Sequence, residues 1–190
     1  MKDVDEAFHE AVQILDRLGI VYAVMGGLAV RVWSIPRATR DVDITITASS
    51  EDVARLAAAF EDLGYTTPEF FRTGWTDLVA EMPLVKFRWY SAGGDLDIDV
   101  FIADTPYQHA YMARRQLADM DGFRCWVVSA EDLILLKLVA ARPRDFIDVA
   151  DILFMQGQLD ETYMRQWAAR LGAGDALEQA LANRPGAERP

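Results

Sequence analysis

Cysteine is nearly missing from this chain: Cys125 stands alone among 190 residues. That rules out an internal disulfide and leaves no basis for a metal-thiolate centre. Its place in the apolar run Phe123 to Val128 assigns it to the core. Histidine is scarce as well. His9 and His109 fall on expected helices without an acid-base partner, so a surface role is expected, and no Ser-His-Asp or Cys-His arrangement supports covalent hydrolase chemistry. No apolar run approaches the roughly 20 residues that a membrane span needs. The start, Met1-Lys2-Asp3-Val4-Asp5-Glu6, lacks the basic opening and apolar centre of a signal peptide, so a cytoplasmic protein is expected. Positive charge is also in short supply, with 19 Lys and Arg against 30 Asp and Glu and a net charge of -11. A broad basic face for nucleic acid is thereby disfavoured, although a local contact with RNA stays open.

What the chain has is length for a sizeable core, an apolar share of 52%, and a mixed rhythm of elements. Asp3 and Glu6 form a helix-start signal, followed by Ala7, Phe8, Ala11, Val12, Leu15 and Leu18 at helical spacing. A strand over Ile20 to Met25, a short helix over Leu28 to Trp33 and a strand over Val42 to Thr47 come next. A helix capped at Ser49 or Ser50 closes at Gly64. The texture from Phe70 to Ile102 is strand-like. Leu84 to Tyr90 and Leu96 to Ile102 form a hairpin around Ser91 to Gly94, with one acidic face. A helix from Thr105-Pro106 to Arg115 leads to a second hairpin, Leu117 to Met120 and Phe123 to Val128, turning at Asp121-Gly122. From Ser129 onward the pattern is helical: Leu133 to Ala141, Arg144 to Met155, Asp160 to Leu171 and Asp175 to Ala182. Trp75, Trp89, Trp126 and Tyr107 are expected to build core. The reading is an α+β chain: a mixed β-sheet flanked by helices over 1–128, a small C-terminal helical lobe over 129–183, and a frayed tail over 184–190.

The densest chemical signal lies between Gly26 and Asp43. Gly26-Gly27 closes one strand and opens a helix, placing backbone N–H groups at a positive helix end where phosphate can approach. The spacing matches neither a Walker loop nor a dinucleotide fingerprint. Pro36 stops the helix. Arg37, Thr39 and Arg40 then precede Asp41 and Asp43, whose i, i+2 spacing sends both carboxylates to one face of a strand. Two like charges held together call for a counter-charge, and a hard divalent cation carrying a phosphate suits them. On the later acidic strand Asp99 is the preferred third carboxylate, Asp97 a second candidate on the same face, and Asp95 solvated. Lys137 sits inside the apolar run Leu133 to Val139 and needs an anion there: a triphosphate, the strand aspartates, or Asp145 and Asp148. Arg144 is positioned to pair with Asp148 at i, i+4.

Together these motifs resemble the DNA polymerase β-type nucleotidyltransferase superfamily, in the branch of the AbiEii toxins of abortive-infection systems. The resemblance rests on Gly26-Gly27 with Arg37-x-Thr39-x-Asp41-x-Asp43, on Asp99-Val100-Phe101, and on Lys137 with Arg144-Asp145-x-x-Asp148. It implies a nucleotidyltransferase-like fold and transfer of an NMP from an NTP to an acceptor hydroxyl, with Mg²⁺ or Mn²⁺ as cofactor. It further implies that Asp41, Asp43 and Asp99 are catalytic and hold metal, converging within metal-bridging reach. Gly26, Gly27, Arg37, Thr39 and Lys137 would hold the nucleotide, with Lys137 facing the same cleft. Asp97, Arg144, Asp145 and Asp148 would support the site. The acceptor is tRNA or a protein in a toxin-antitoxin setting with a cognate partner, or alternatively a small molecule such as an aminoglycoside. A non-catalytic antitoxin or scaffold with the same fold is the rival reading. The chain departs from AbiEii-type proteins in having Gly26-Gly27 for Gly-Ser, Arg144 for Lys, and a shorter C-terminal region.

Overall fold

The computed structural model describes residues 2–67, 75–76, 83–92, 94–120 and 122–184, with the backbone alone at 75–76. The strand-like texture around Phe70, position 93 of the first hairpin turn, Asp121 and the tail beyond 184 lie outside the described residues.

The chain opens with α1 (Val4–Leu18), capped by Asp3, whose side chain accepts from the Glu6 amide, and ended at Gly19 in a left-handed conformation. Ala7, Phe8, Ala11, Val12 and Leu15 form its buried stripe, as their spacing dictates. After β1 (Val21–Val24), α2 (Gly26–Trp33) runs to the loop around Pro36, and β2 (Asp41–Thr47) returns antiparallel to β1. Next come α3 (Ser50–Asp62), β3 (Trp75–Thr76), β4 (Pro83–Trp89) and β5 (Leu96–Ile102). Helix α4 (Pro106–Arg114) then leads to the hairpin of β6 (Gln116–Met120) and β7 (Phe123–Val127). Four helices complete the described chain: α5 (Ala130–Ala140), α6 (Pro143–Met155), α7 (Glu161–Arg170) and α8 (Gly174–Ala182). None of the described helices is long and apolar enough to cross a membrane.

The strands form one mixed sheet in the order β3-β4-β5-β2-β1-β7-β6. Parallel pairing of β2 with β5 is the consequential feature, because it lays two acidic strands side by side. One sheet face is apolar: Val42, Ile44, Ile46 and Ile98 are fully buried, and the Phe60 ring of α3 stacks on Phe87 of β4 at 4.2 Å. Asp41, Asp43 and Thr45 point to the other face, where the Thr45 hydroxyl meets the Tyr111 hydroxyl of α4 at 3.0 Å. Alternation at period two thus separates core from chemistry on a single strand.

Helix α5 is apolar nearly all round because it is buried nearly all round, between the sheet lobe and the later helices. It packs on α2 as well as on α6 and α7. Trp33, ending α2, donates its indole N–H to Val128 O at 2.8 Å, and its own carbonyl accepts from Gln156 Nε2 at 2.6 Å. The C-terminal helices are therefore tied to the end of α2, just ahead of the loop that precedes β2. Cys125 is buried as expected, and His109 is exposed. His9 is half-buried at the surface, its ring packing against Phe123 with 4.4 Å between centroids.

Candidate active site

Gly26 begins α2 at φ +63°, a left-handed conformation that suits glycine. A side chain there would meet β2 at once, because a Cβ would lie 2.7 Å from Asp43 Cγ. Gly27 is equally constrained from another side, with Thr39 Cβ 2.8 Å from where its own Cβ would be. The glycine pair is thus a close-approach device that brings a helix N-terminus against the carboxylate strand. Met25 provides no side-chain cap for α2. Its amide instead donates to Asp43 O at 2.9 Å.

On the sheet, Asp41 stands opposite Asp97 and Asp43 opposite Asp99. Residues paired across parallel strands point the same way, so all four carboxylates share one face. The electrostatic consequence falls on Asp43. Burial, then the like charges of Asp99 and Asp41, push its carboxyl up to about 7, with Arg142 and Lys137 pulling back. Asp99 is raised too, chiefly by burial, although Lys86 opposes the shift.

The counter-charges come from β4, whose antiparallel register sets Lys86 opposite Asp99 and Arg88 opposite Asp97. Lys86 Nζ lies 2.5 Å from Asp99 Oδ1 and 3.1 Å from Asp97 Oδ2. Arg88 grips Asp97 with two bonds of 2.6 and 2.8 Å. Burial would raise the Asp97 carboxyl, but Arg88 and Lys86 outweigh it and hold it below its usual value. In the sequence Lys86 and Arg88 carry no signal beyond alternating with Val85, Phe87 and Trp89. Counting outward from the Ser91 to Gly94 turn to align the hairpin would have revealed both pairs.

A second ionic cluster lies on the helical side. Lys137, 5% exposed, is 2.5 Å from Asp148 Oδ2 and 3.1 Å from Asp145 Oδ1. Of the three anions open to it, the structure gives it the carboxylates of α6. Arg37 makes a two-pronged contact to Asp148, 2.7 Å at each oxygen. Arg144 is a correction: it does not pair with Asp148 but reaches Ala38 O at 3.3 Å. Asp145 also accepts from the Arg142 amide at 3.2 Å, capping α6. Arg142, just ahead of Pro143, is the first of the two cations that lower Asp43.

Among the described residues, no three acidic, histidine or cysteine side chains are drawn together as a ready ligand set for a metal ion. Asp41, Asp43 and Asp99 share a face, but Asp99 is engaged by Lys86. The donor chemistry fits a hard dication all the same: the set is all carboxylate, and Asp43 is pushed up to about 7 by burial first and by its fellows second. This crowding has a measurable cost. Ionised Asp43 destabilises the metal-free fold, with no penalty below about pH 4, where the carboxyl is protonated whether folded or unfolded, and the full penalty above about 7. Asp43→Asn should therefore stabilise the protein in EDTA by about 2 kcal/mol at pH 8, the gain vanishing near pH 4. Denaturant titrations at both pH values check this. A gain that does not change with pH would contradict it.

A glycine-opened helix, an Asp-x-Asp strand beside it and a second acidic strand running parallel accord with the nucleotidyltransferase class to which the family match assigns the chain. More particularly, the chain belongs to the family described as nucleotidyltransferase of unknown function (DUF6036), which matches residues 1–171. Solved structures share the fold. An antigenic nucleotidyltransferase-like protein from Paracoccidioides brasiliensis superposes with a TM-score of 0.53 at 21% identity, over 96% of this chain and 94% of that one. The lincosamide antibiotic adenylyltransferase LnuA, bound to lincomycin, gives 0.56 at 13% identity, over 82% and 100%. The antibiotic-resistance factor ANT(2'')-Ia in solution gives 0.50 at 17%, over 92% and 90%. At such identities the likeness is one of fold. No protein with a curated description matches the chain by sequence.

Proposed function

We propose that this protein moves a nucleoside monophosphate from an NTP to an acceptor hydroxyl, with Asp41, Asp43 and Asp99 as the working carboxylates. The observation that carries the reading is the register of β2 on β5, which sets Asp43 beside Asp99 directly under the N-terminus of α2. Mg²⁺ or Mn²⁺ held by these three aspartates would neutralise the triphosphate and the pyrophosphate that leaves. The amides of Gly26 and Gly27 lie at a helix end that no side chain caps, where they would hold phosphate oxygens. The acceptor oxygen forms its bond to the α-phosphorus as the bond to the β-phosphate oxygen breaks. Pyrophosphate takes the electron pair, and the hydroxyl proton passes to Asp99. Arg37 and Thr39 shape the loop that enters β2. Lys137, with Asp145 and Asp148, fixes that loop from the helical lobe.

The net charge of -11 and the fold likeness to an antibiotic-resistance factor and a lincosamide antibiotic adenylyltransferase of similar extent favour a small hydroxylated acceptor over a polynucleotide. A toxin-antitoxin role with tRNA or protein as acceptor rests on the AbiEii-like motifs alone. The test is transfer of label from each α-labelled NTP with Mg²⁺, offering aminoglycosides, lincosamides, tRNA and cell lysate to wild type, Asp41→Ala and Asp43→Ala. Label should move in wild type and in neither variant. No transfer from any NTP, or equal transfer by the variants, overturns the enzyme reading in favour of a scaffold.

A further inference from the structure

Of the two cations of β4, Lys86 contacts Asp99, one of the carboxylates that would hold the dication. Lys86 spans both acids of β5, and its backbone is locked opposite Asp99 by the hairpin ladder, so its position follows from register. Asp97 does not depend on it, because Arg88 already occupies both Asp97 oxygens. On the described face, then, the charge of Asp99 is matched by a lysine that is only 15% exposed at its side chain. The carboxylates are correspondingly not gathered for metal.

We propose that Lys86 is a built-in stand-in for the divalent cation at the third carboxylate, and that it must leave Asp99 for the site to take up metal. This rests on the nucleotidyl-transfer reading above. A cation binding at Asp99 competes with an ammonium already in contact, and the two positive charges repel at close range. Metal alone therefore binds weakly. A triphosphate changes the balance, because its oxygens offer the displaced ammonium a new partner and add negative charge for the metal. Metal and nucleotide uptake are thereby coupled, and Asp99 stays neutralised between turnovers. Lys86 is a positioning residue in this scheme, acting on the reaction through Asp99.

The wild-type chain provides its own test, since it has three lysines, Lys2, Lys86 and Lys137. Acylation by an amine-reactive probe, read residue by residue by mass spectrometry, should show Lys86 becoming several-fold more reactive as Mn²⁺ is added. Lys2 is the internal control: it pairs with Glu10 and lies over the Trp89 ring, on the opposite side of β4. In parallel, Mn²⁺ affinity without nucleotide should tighten about tenfold in Lys86→Met and stay at the wild-type level in Lys86→Arg, which keeps the charge. An NTP analogue that cannot react should shrink the difference. Lys86 labelling that stays flat while Mn²⁺ binds overturns the proposal and spares the metal site, as does unchanged or weaker affinity in a folded Lys86→Met. Absence of Mn²⁺ binding in wild type and in Lys86→Met alike overturns both this proposal and the metal-dependent reading beneath it. The labelling experiment needs no variant, so a misfolded Lys86→Met leaves the question decidable.

Discussion

Asp148→Ala should cost about 3 to 5 kcal/mol of stability, the range for removing one partner from a buried ion pair. Asp148 is 1% exposed and receives two bonds from Arg37 and one from Lys137. Burial alone would raise its carboxyl, but Arg37 and Lys137 outweigh burial and hold it below the ordinary value. Alanine leaves Lys137, deep in an apolar helix, with Asp145 alone, and leaves Arg37 without its two-pronged partner. The loss should reach the chemistry too, because Arg37 lies in the loop that delivers Asp41. The pH dependence isolates the charge. A lowered carboxyl contributes stability that is present above its unfolded value of about 4 and lost as pH falls through the folded value. Wild type should therefore exceed Asp148→Asn at pH 7 and converge on it in acid. Urea titration at pH 7 and across the acid range measures both. A cost below about 1 kcal/mol for the alanine variant, or an advantage that persists in acid, would show that the cluster does not fasten the loop.

Element types were legible where one periodicity ruled. The α1 stripe, the apolar band of α5 and the alternation of β2 and β5 each reflect a burial pattern imposed by a single neighbour or by full enclosure. The site was legible only in its acidic half. Asp41 with Asp43, and Asp97 with Asp99, each lie two apart on one strand, so local spacing reveals the face each pair shares, while the pairing of the two strands is tertiary. Their counter-charges are fixed by tertiary register. Arg37 meets Asp148 across 111 positions, and that contact displaced the local pairing expected from Arg144, since a buried carboxylate gains more from a two-pronged guanidinium than from an exposed helical neighbour. Arg142 had no sequence signal beyond preceding Pro143. Its influence on Asp43 is a tertiary one, exerted from the α5–α6 corner, where Ala141 turns left-handed. Lys86 lay between the two cases, accessible to anyone who aligned the hairpin.

Gly26→Ala should lose about 2 to 3 kcal/mol and lower nucleotidyl transfer by at least about a hundredfold, because two separate penalties meet there. The first is conformational: at φ +63° an L side chain costs about 1 to 2 kcal/mol. The second is contact, since the new Cβ would lie 2.9 Å from Asp43 Cβ and closer still to its carboxylate. The acid must swing away from Asp99, or α2 must lift from the sheet. Either movement separates the phosphate-facing amides from the carboxylates, and positional errors of an ångström are expensive in a reaction run by alignment. Gly19 divides the two penalties. It has φ +68° with nothing within 4 Å of a built Cβ, so Gly19→Ala carries the conformational cost alone, about 1 kcal/mol, with transfer unchanged. Gly27→Ala does the converse, lacking a positive φ while colliding with Thr39. If Gly26→Ala resembled Gly19→Ala in both stability and transfer, the approach of α2 to Asp43 would be incidental and the phosphate site would belong elsewhere. A variant that folds yet fails to transfer, beside a Gly19→Ala that does both, ties the reaction to the distance between one helix end and one carboxylate.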